Sequence, residues 1–235
     1  MTIAVEVLGD VEHDGRMLCR YADALARMDA LTARPRSAAD VLLAAEHPPT
    51  ITTGRNGGRD AIHGRQVRGR DGGVVAVEVY DVARGGSVTY HAPGQLVIYP
   101  IVQLQSLEGP VGRGPIGDLP AMVRLLESAI IDVCRHFDLE THQRAGFSGV
   151  WCDPRTKLAS IGLGVRSGWS FHGLALNIEP RLEGFDLITP CALDGVRMTS
   201  MQAELERRGT TAPSFDAVRT ALLDALALRL VRRPS

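Results

Sequence analysis

The sequence predicts an α+β fold, a mixed and largely antiparallel sheet flanked by helices, and three features of its patterning predict it. Strand-like segments come in groups instead of alternating regularly with helices. Glycine and proline clusters separate those segments at turn spacing. Three stretches carry apolar residues every three to four positions, the repeat of one helix face. With 235 residues, 45% hydrophobic and 23% charged, the chain reads as one globular domain over residues 1–235.

The alternation Ile3, Val5, Val7 opens the chain as a strand. Met17, Tyr21, Leu25, Met28 and Leu31 predict a helix over 13–34. A strand follows at 41–45, is broken by His47-Pro48-Pro49, and resumes at 50–53. The glycine-rich stretch 54–73 is expected to be a loop. Strands at 74–82 and 87–91 flank Arg84-Gly85-Gly86 as a hairpin, with another at 95–102. Asp118 can cap a helix whose stripe runs Met122, Leu126, Ile130, Val133, Phe137. Strands at 157–165 and 170–178 meet at a short turn, a loop reaches Thr189-Pro190-Cys191, and Ser214 can cap a last helix through Val218, Leu222, Leu226 and Leu230.

A net charge of -1, from 26 basic and 27 acidic residues, provides no global field for nucleic acid or an anionic membrane. Arg229, Arg232 and Arg233 read as solvated charge on a frayed tail. No secretory signal and no long apolar run is visible, which places the expectation in the cytoplasm, off the membrane. The four cysteines, Cys19, Cys134, Cys152 and Cys191, are too scattered for a disulfide framework and are expected as thiols.

Cys19 and Cys134 fall in helix-like patterns, where cysteine is usually a small buried hydrophobe, whereas Cys191 follows a proline in a loop. A catalytic thiol needs a cation or base beside it to form enough thiolate. Lys157 is the sole lysine in the chain and opens an apolar strand. An ammonium about 4 Å from a thiolate contributes up to roughly 4 kcal/mol at an effective dielectric near 20, before desolvation. Unlike arginine, lysine can also give up its proton. The competing reading makes Lys157 an edge-strand solubility charge. Unpaired N–H groups at Arg84-Gly85-Gly86, Gly94 and Gly173 can stabilise an oxyanion, or these glycines can serve turns alone. His47, His91, His172 and Cys191 lack metal-ligand spacing, and no P-loop or dinucleotide fingerprint appears, so neither a metal nor ATP nor NAD is expected.

These segments, in order, resemble a known family. Arg84-Gly85-Gly86-Ser87-Val88-Thr89-Tyr90-His91 with Ala92-Pro93-Gly94-Gln95 is similar to the RGGxVTYHGPGQ signature of octanoyl (lipoyl) transferases. So are Lys157 through Gly162, Phe171 through Asn177, Pro190-Cys191, Glu46-His47-Pro48 and Thr53-Gly54-Arg55. The resemblance implies a fold shared with lipoate and biotin protein ligases, and a cofactor-free transfer of an octanoyl group from acyl carrier protein to a lysine of lipoyl domains. Those acceptors would be the lipoyl domains of 2-oxoacid dehydrogenases and the glycine cleavage H protein, served by a monomer. It implies Cys191 as acylated nucleophile and Lys157 as its partner. It further implies an acyl pocket lined by Arg84, Gly85, Gly86, Ser87, Val88, Thr89, Tyr90, His91, Ser160, Ile161, Gly162, His172, Gly173 and Leu174. Arg55, Arg59, Arg65, Arg68 and Arg70 are candidates for docking an acidic carrier. Ala92 and Ala192 stand where the family has glycine; an added methyl beside the nucleophile would narrow the pocket or change chain-length preference, and would cost about 1 kcal/mol where glycine needed a positive φ. Two rivals remain: an ATP-dependent ligase on the same scaffold, and a non-catalytic acyl-binding module.

Overall fold

The computed structural model describes residues 3–13, 15–69, 72–107, 118–189 and 195–232. Cys191 and Ala192 lie outside the described residues, as do Arg70 and Arg233. In chain order, β1 (Ala4–Leu8) leads to a small hairpin of β2 (Val11–His13) and β3 (Arg16–Leu18), with Gly15 at φ 74° in its turn. Then come α1 (Tyr21–Thr32), β4 (Val41–Ala45) and β5 (Thr50–Thr53). The helix expected from residue 13 thus starts at Tyr21. A glycine in the left-handed region costs a helix interior more than it costs a turn. Cys19 accordingly sits between β3 and α1, not on a helix face.

The glycine-rich stretch expected as loop contains part of a second hairpin, β6 (Gln66–Arg68) against β7 (Val74–Ala76). β8 (Glu78–Asp81) and β9 (Val88–His91) do not form the expected hairpin. Both pair with β5, which lies between them, parallel to β8 and antiparallel to β9. The glycines do reverse the chain, but strand periodicity cannot say which strand is the partner.

Next are β10 (Gln95–Ile101), α2 (Leu119–His136), β11 (His142–Arg144), β12 (Phe147–Asp153), β13 (Thr156–Arg166), β14 (Trp169–Asn177), β15 (Arg197–Met198), α3 (Met201–Arg207) and α4 (Phe215–Arg229). The large sheet runs β1-β4-β10-β14-β13-β12-β11, with β15 beside β13. The β1–β4 and β13–β15 pairs are parallel and the others antiparallel, so the sheet is mixed and largely antiparallel, as expected.

Leu42, Ala44, Leu96, Ile98 and Leu176 turn one face of this sheet toward α2, α3 and α4, where Met122, Leu126, Ile130, Val133, Leu222 and Leu226 are buried. Each such side chain contributes about 1.5–3 kcal/mol by leaving water. Alternate residues, Leu43, Ala45, Val97, Tyr99 and Ala175, face the other way onto Ala24, Met28 and Leu31 of α1. Of the three C-terminal arginines, Arg229 and Arg232 are not part of a frayed tail. Arg232 grips Asp40 through Nε and Nη2, both at 2.7 Å, and Arg229 donates to Asp132 at 2.5 Å. No helix among the described residues is long and apolar enough to cross a membrane.

Candidate active site

A cavity of about 1030 Å3 is bounded by β10, β13 and β14 of the large sheet, the Arg84–His91 segment, the first half of α2 and the β11–β12 turn. Arg84, Gly85, Gly86, Ser87, Val88, Thr89, His91, Lys157, Ser160, Ile161, Gly162, His172, Gly173 and Leu174 all line it. Three segments far apart in sequence therefore meet at one place. Tyr90 does not join them. Strand alternation turns its ring to the opposite side of β9, against Phe185 at 5.3 Å and into a smaller cavity of about 300 Å3. Ala92 lines that smaller cavity too, so it does not narrow the large one. Nor does its methyl strain the backbone, because Ala92 is not among the residues with positive φ.

The Arg84-Gly85-Gly86 turn is docked on β13. Gly85 N–H donates to Leu163 O at 2.8 Å, and a side chain at Gly162 would run into Gly85 O. The Arg84 guanidinium, buried, donates through Nη2 to Thr52 O at 2.8 Å and through Nη1 to Gly85 O at 3.0 Å, holding the turn to β5. Two of the suggested oxyanion donors are thereby committed elsewhere: Gly85 N–H to Leu163, and Gly94 N–H to Glu46 Oε2 at 2.8 Å. A buried amide already paired in the sheet or to a carboxylate has no free hydrogen to offer.

Lys157 is 3% exposed on β13, an interior strand flanked by β12 and β14, so the edge-strand reading fails. Its Nζ lies 5.1 Å from the centre of the Trp151 ring. Glu127 on α2 also lines the cavity, and its Oε1 accepts Gly149 N–H at 2.8 Å. Burial pushes this carboxyl above its ordinary range, opposed by the Gly149 hydrogen bond and the charges of Lys157 and Arg124.

A neutral histidine–tyrosine cluster adjoins the cavity, with Tyr21, His91, Tyr99 and His172 in its lining and His47 behind them. His47 must donate from Nδ1 to Cys19 O at 2.7 Å, so its Nε2 accepts the Tyr99 hydroxyl at 2.6 Å. His91 Nδ1 donates to Gln95 Oε1 at 2.7 Å, and Gln95 Nε2 in turn donates to Asn177 Oδ1 at 2.9 Å. Burial pulls His47 and His172 down to about 4 and His91 to about 3. His172, at φ 55°, keeps a buried Nδ1 with no hydrogen-bond partner. The same effect silences the described thiols: burial pushes Cys134 and Cys152 up to about 12, and Cys19 to about 11.

The model of the lipoyl protein ligase A/B catalytic domain matches residues 20–227. The chain belongs to that family. Among curated relatives, an octanoyltransferase of Mycolicibacterium smegmatis is 38% identical over 84% of this chain and 81% of its own length. Another, from Desulfovibrio desulfuricans, is 36% identical over 87% and 80%. A third, from Acidobacterium capsulatum, reaches 40% over 71% and 68%. Membership of the lipoyl protein ligase A/B family, with octanoyltransferases as relatives, makes this chain an acyltransferase. Solved structures share the fold: a lipoate-protein ligase A bound with ATP superposes with TM-score 0.67 at 14% identity, covering 100% of this chain and 89% of that one. A bipartite lipoate protein ligase of Thermoplasma acidophilum gives 0.58 at 15%, covering 100% and 87%.

Sequence reasoning missed Tyr21, Tyr99, Arg124, Glu127 and the 143–148 turn as cavity lining. For Glu127 a signal existed. It stands three positions before Ile130 and seven before Cys134, on the buried flank of the α2 stripe, where an unpaired acid is costly.

Proposed function

We propose that the chain, acting as a single catalytic domain and a monomer, transfers an octanoyl group from acyl carrier protein to a lysine of lipoyl domains through a thioester on Cys191. The acceptors are the lipoyl domains of 2-oxoacid dehydrogenases and the glycine cleavage H protein. The observation that carries this reading is the convergence of Lys157 with the Arg84–His91 and His172–Leu174 segments around one large cavity. The proton-retaining state of the other three thiols, buried at Cys19 and Cys134 and half-buried at Cys152, supports Cys191 as the nucleophile. Further support comes from connectivity: the chain re-enters the described structure at Gly195, and Met198 pairs with Lys157 itself, with Thr199 N–H donating to Lys157 O at 2.9 Å.

In the first half-reaction the Lys157 amine takes the Cys191 thiol proton, and the thiolate attacks the donor carbonyl. The carbon–sulfur bond to pantetheine breaks, and the ammonium returns the proton to the departing sulfur. In the second, the acceptor amine attacks the acyl-enzyme. The bond to Cys191 breaks, and the proton released by the amine passes through Lys157 to the cysteine sulfur. One thioester replaces another in the first step, so no nucleotide is consumed. Ile161, Leu163, Leu174 and Val97 offer apolar lining for the chain. At about 0.8 kcal/mol per methylene, an eight-carbon chain gains roughly 4 to 5 kcal/mol there.

The test is intact mass after incubation with octanoyl carrier protein. One octanoyl group is expected on the wild-type chain and none on Cys191→Ala; retention of the adduct in that variant overturns the reading. Lys157→Arg is expected to slow acylation about 100-fold or more, since a guanidinium keeps its proton. Acceptor modification from free octanoate that requires ATP would point instead to a ligase.

A further inference from the structure

Glu127 is a cavity-lining acid that the chemistry above does not use. Among the described residues it is the one carboxylate in the lining, set among Arg84, Arg124, Arg144 and Lys157. A charge 5% exposed in a protein interior needs a reason to be there. Its surroundings supply one. Oε1 holds the amide of Gly149, and Gly149 stands at φ 118°, a conformation that side chains rarely adopt. The missing side chain leaves room for the Lys157 stem: a Cβ built on Gly149 would lie 2.6 Å from Lys157 Cε and 3.2 Å from Nζ. β12 is also irregular here, with its register against β13 shifting between Val150 and Trp151, beside the Trp151–Lys157 pair.

We propose that Glu127 is a positioning residue for Lys157. By fixing the Gly149 amide from α2, it shapes the slot in which the lysine stem lies between Gly149 and the Trp151 ring, and its charge faces the ammonium across that slot. Around Glu127, β13 presents Lys157, α2 itself presents Arg124, and β12 presents the Gly149 amide. A helix thereby dictates where a strand's side chain may sit, which neither element does alone. The catalytic importance of that position rests on the function proposed above; the position itself does not.

Because Lys157 is the chain's sole lysine, selective lysine labelling gives one side-chain signal in nuclear magnetic resonance, and with Nζ 5.1 Å from the centre of the Trp151 ring the Hε protons are expected to be displaced upfield. Glu127→Gln keeps the length and an acceptor oxygen for Gly149, whereas Glu127→Asp keeps the charge but falls short by one methylene. The displaced Lys157 signal should persist in Glu127→Gln and collapse toward the free-lysine position in Glu127→Asp, with far-UV circular dichroism unchanged in both. Acyl-enzyme formation should then fall roughly 100-fold in kcat for Glu127→Asp with little change in donor KM, and stay within about 10-fold of wild type for Glu127→Gln. An unmoved Lys157 signal in Glu127→Asp overturns the proposal, as does a loss confined to acceptor KM, which would make Glu127 a binding group for the incoming amine. Full activity of Lys157→Ala would instead sink the function while leaving the resonance result standing.

Discussion

A buried residue does its work by what its neighbours leave it free to do. Lys157 reaches the cavity because Gly149 has no side chain to block its stem, and its Nζ lies 5.1 Å from the centre of the Trp151 ring. Ala92 shows the converse. From the sequence it stood beside the pocket; in the fold it lines the smaller cavity across β9 and is buried with Ile51, Val88 and Phe185. Ala92→Gly should therefore leave acyl-chain preference unchanged and lower stability by about 0.5–1 kcal/mol through added backbone freedom, checked by thermal melts beside acylation rates for six-, eight- and ten-carbon donors. A shifted chain-length optimum would show that Ala92 reaches the acyl slot after all.

At the scale of elements, α2 matters most, since it covers one face of the sheet and carries Glu127 into the cavity. Its start was legible: Asp118 caps it as expected, with Oδ1 accepting Ala121 N–H at 2.7 Å and Pro120 in the first turn. Asp118→Ala should cost about 1 kcal/mol, seen as a melting temperature lower by roughly 2–4 °C. The cap at Ser214 and the β13–β14 pair were equally readable, because side-chain caps and short turns are local. The partner of β9 was not readable. Its glycines announce a reversal, yet β5 enters between β8 and β9 from more than twenty residues upstream.

For the whole molecule, the neutral buried histidines link folding to pH. His47 and His172 titrate near 4 and His91 near 3 in the folded chain, against an ordinary value of 6.5. Below 6.5 the unfolded chain takes up protons that the folded chain refuses, so stability is full above that pH and declines as pH falls through 4 and on toward 3. Each unit of separation corresponds to about 1.4 kcal/mol per group. Urea midpoints should accordingly be level between pH 7 and 8 and drop steeply from 6 to 4; a midpoint flat to pH 4 would mean that these imidazoles are not held neutral by burial.

The chain's local chemistry was enough to determine its fold class and most of its helix and strand positions, since caps, turns and apolar periodicity act within a few residues of one another. The resemblance carried by Arg84–His91, Lys157–Gly162 and His172–Leu174 pointed to one pocket, and these segments line one cavity except at Tyr90, Leu158 and Ala159. Only the tertiary structure decided which face of β9 looks inward, that Gly85 and Gly94 have spent their amides, that Arg232 is tied to Asp40, and that an α2 carboxylate holds the amide of the glycine against which the lysine stem lies. Those outcomes depend on which distant groups reach each other's hydrogen-bonding range once the sheet closes, and that distance is a property of packing, invisible to any window along the chain.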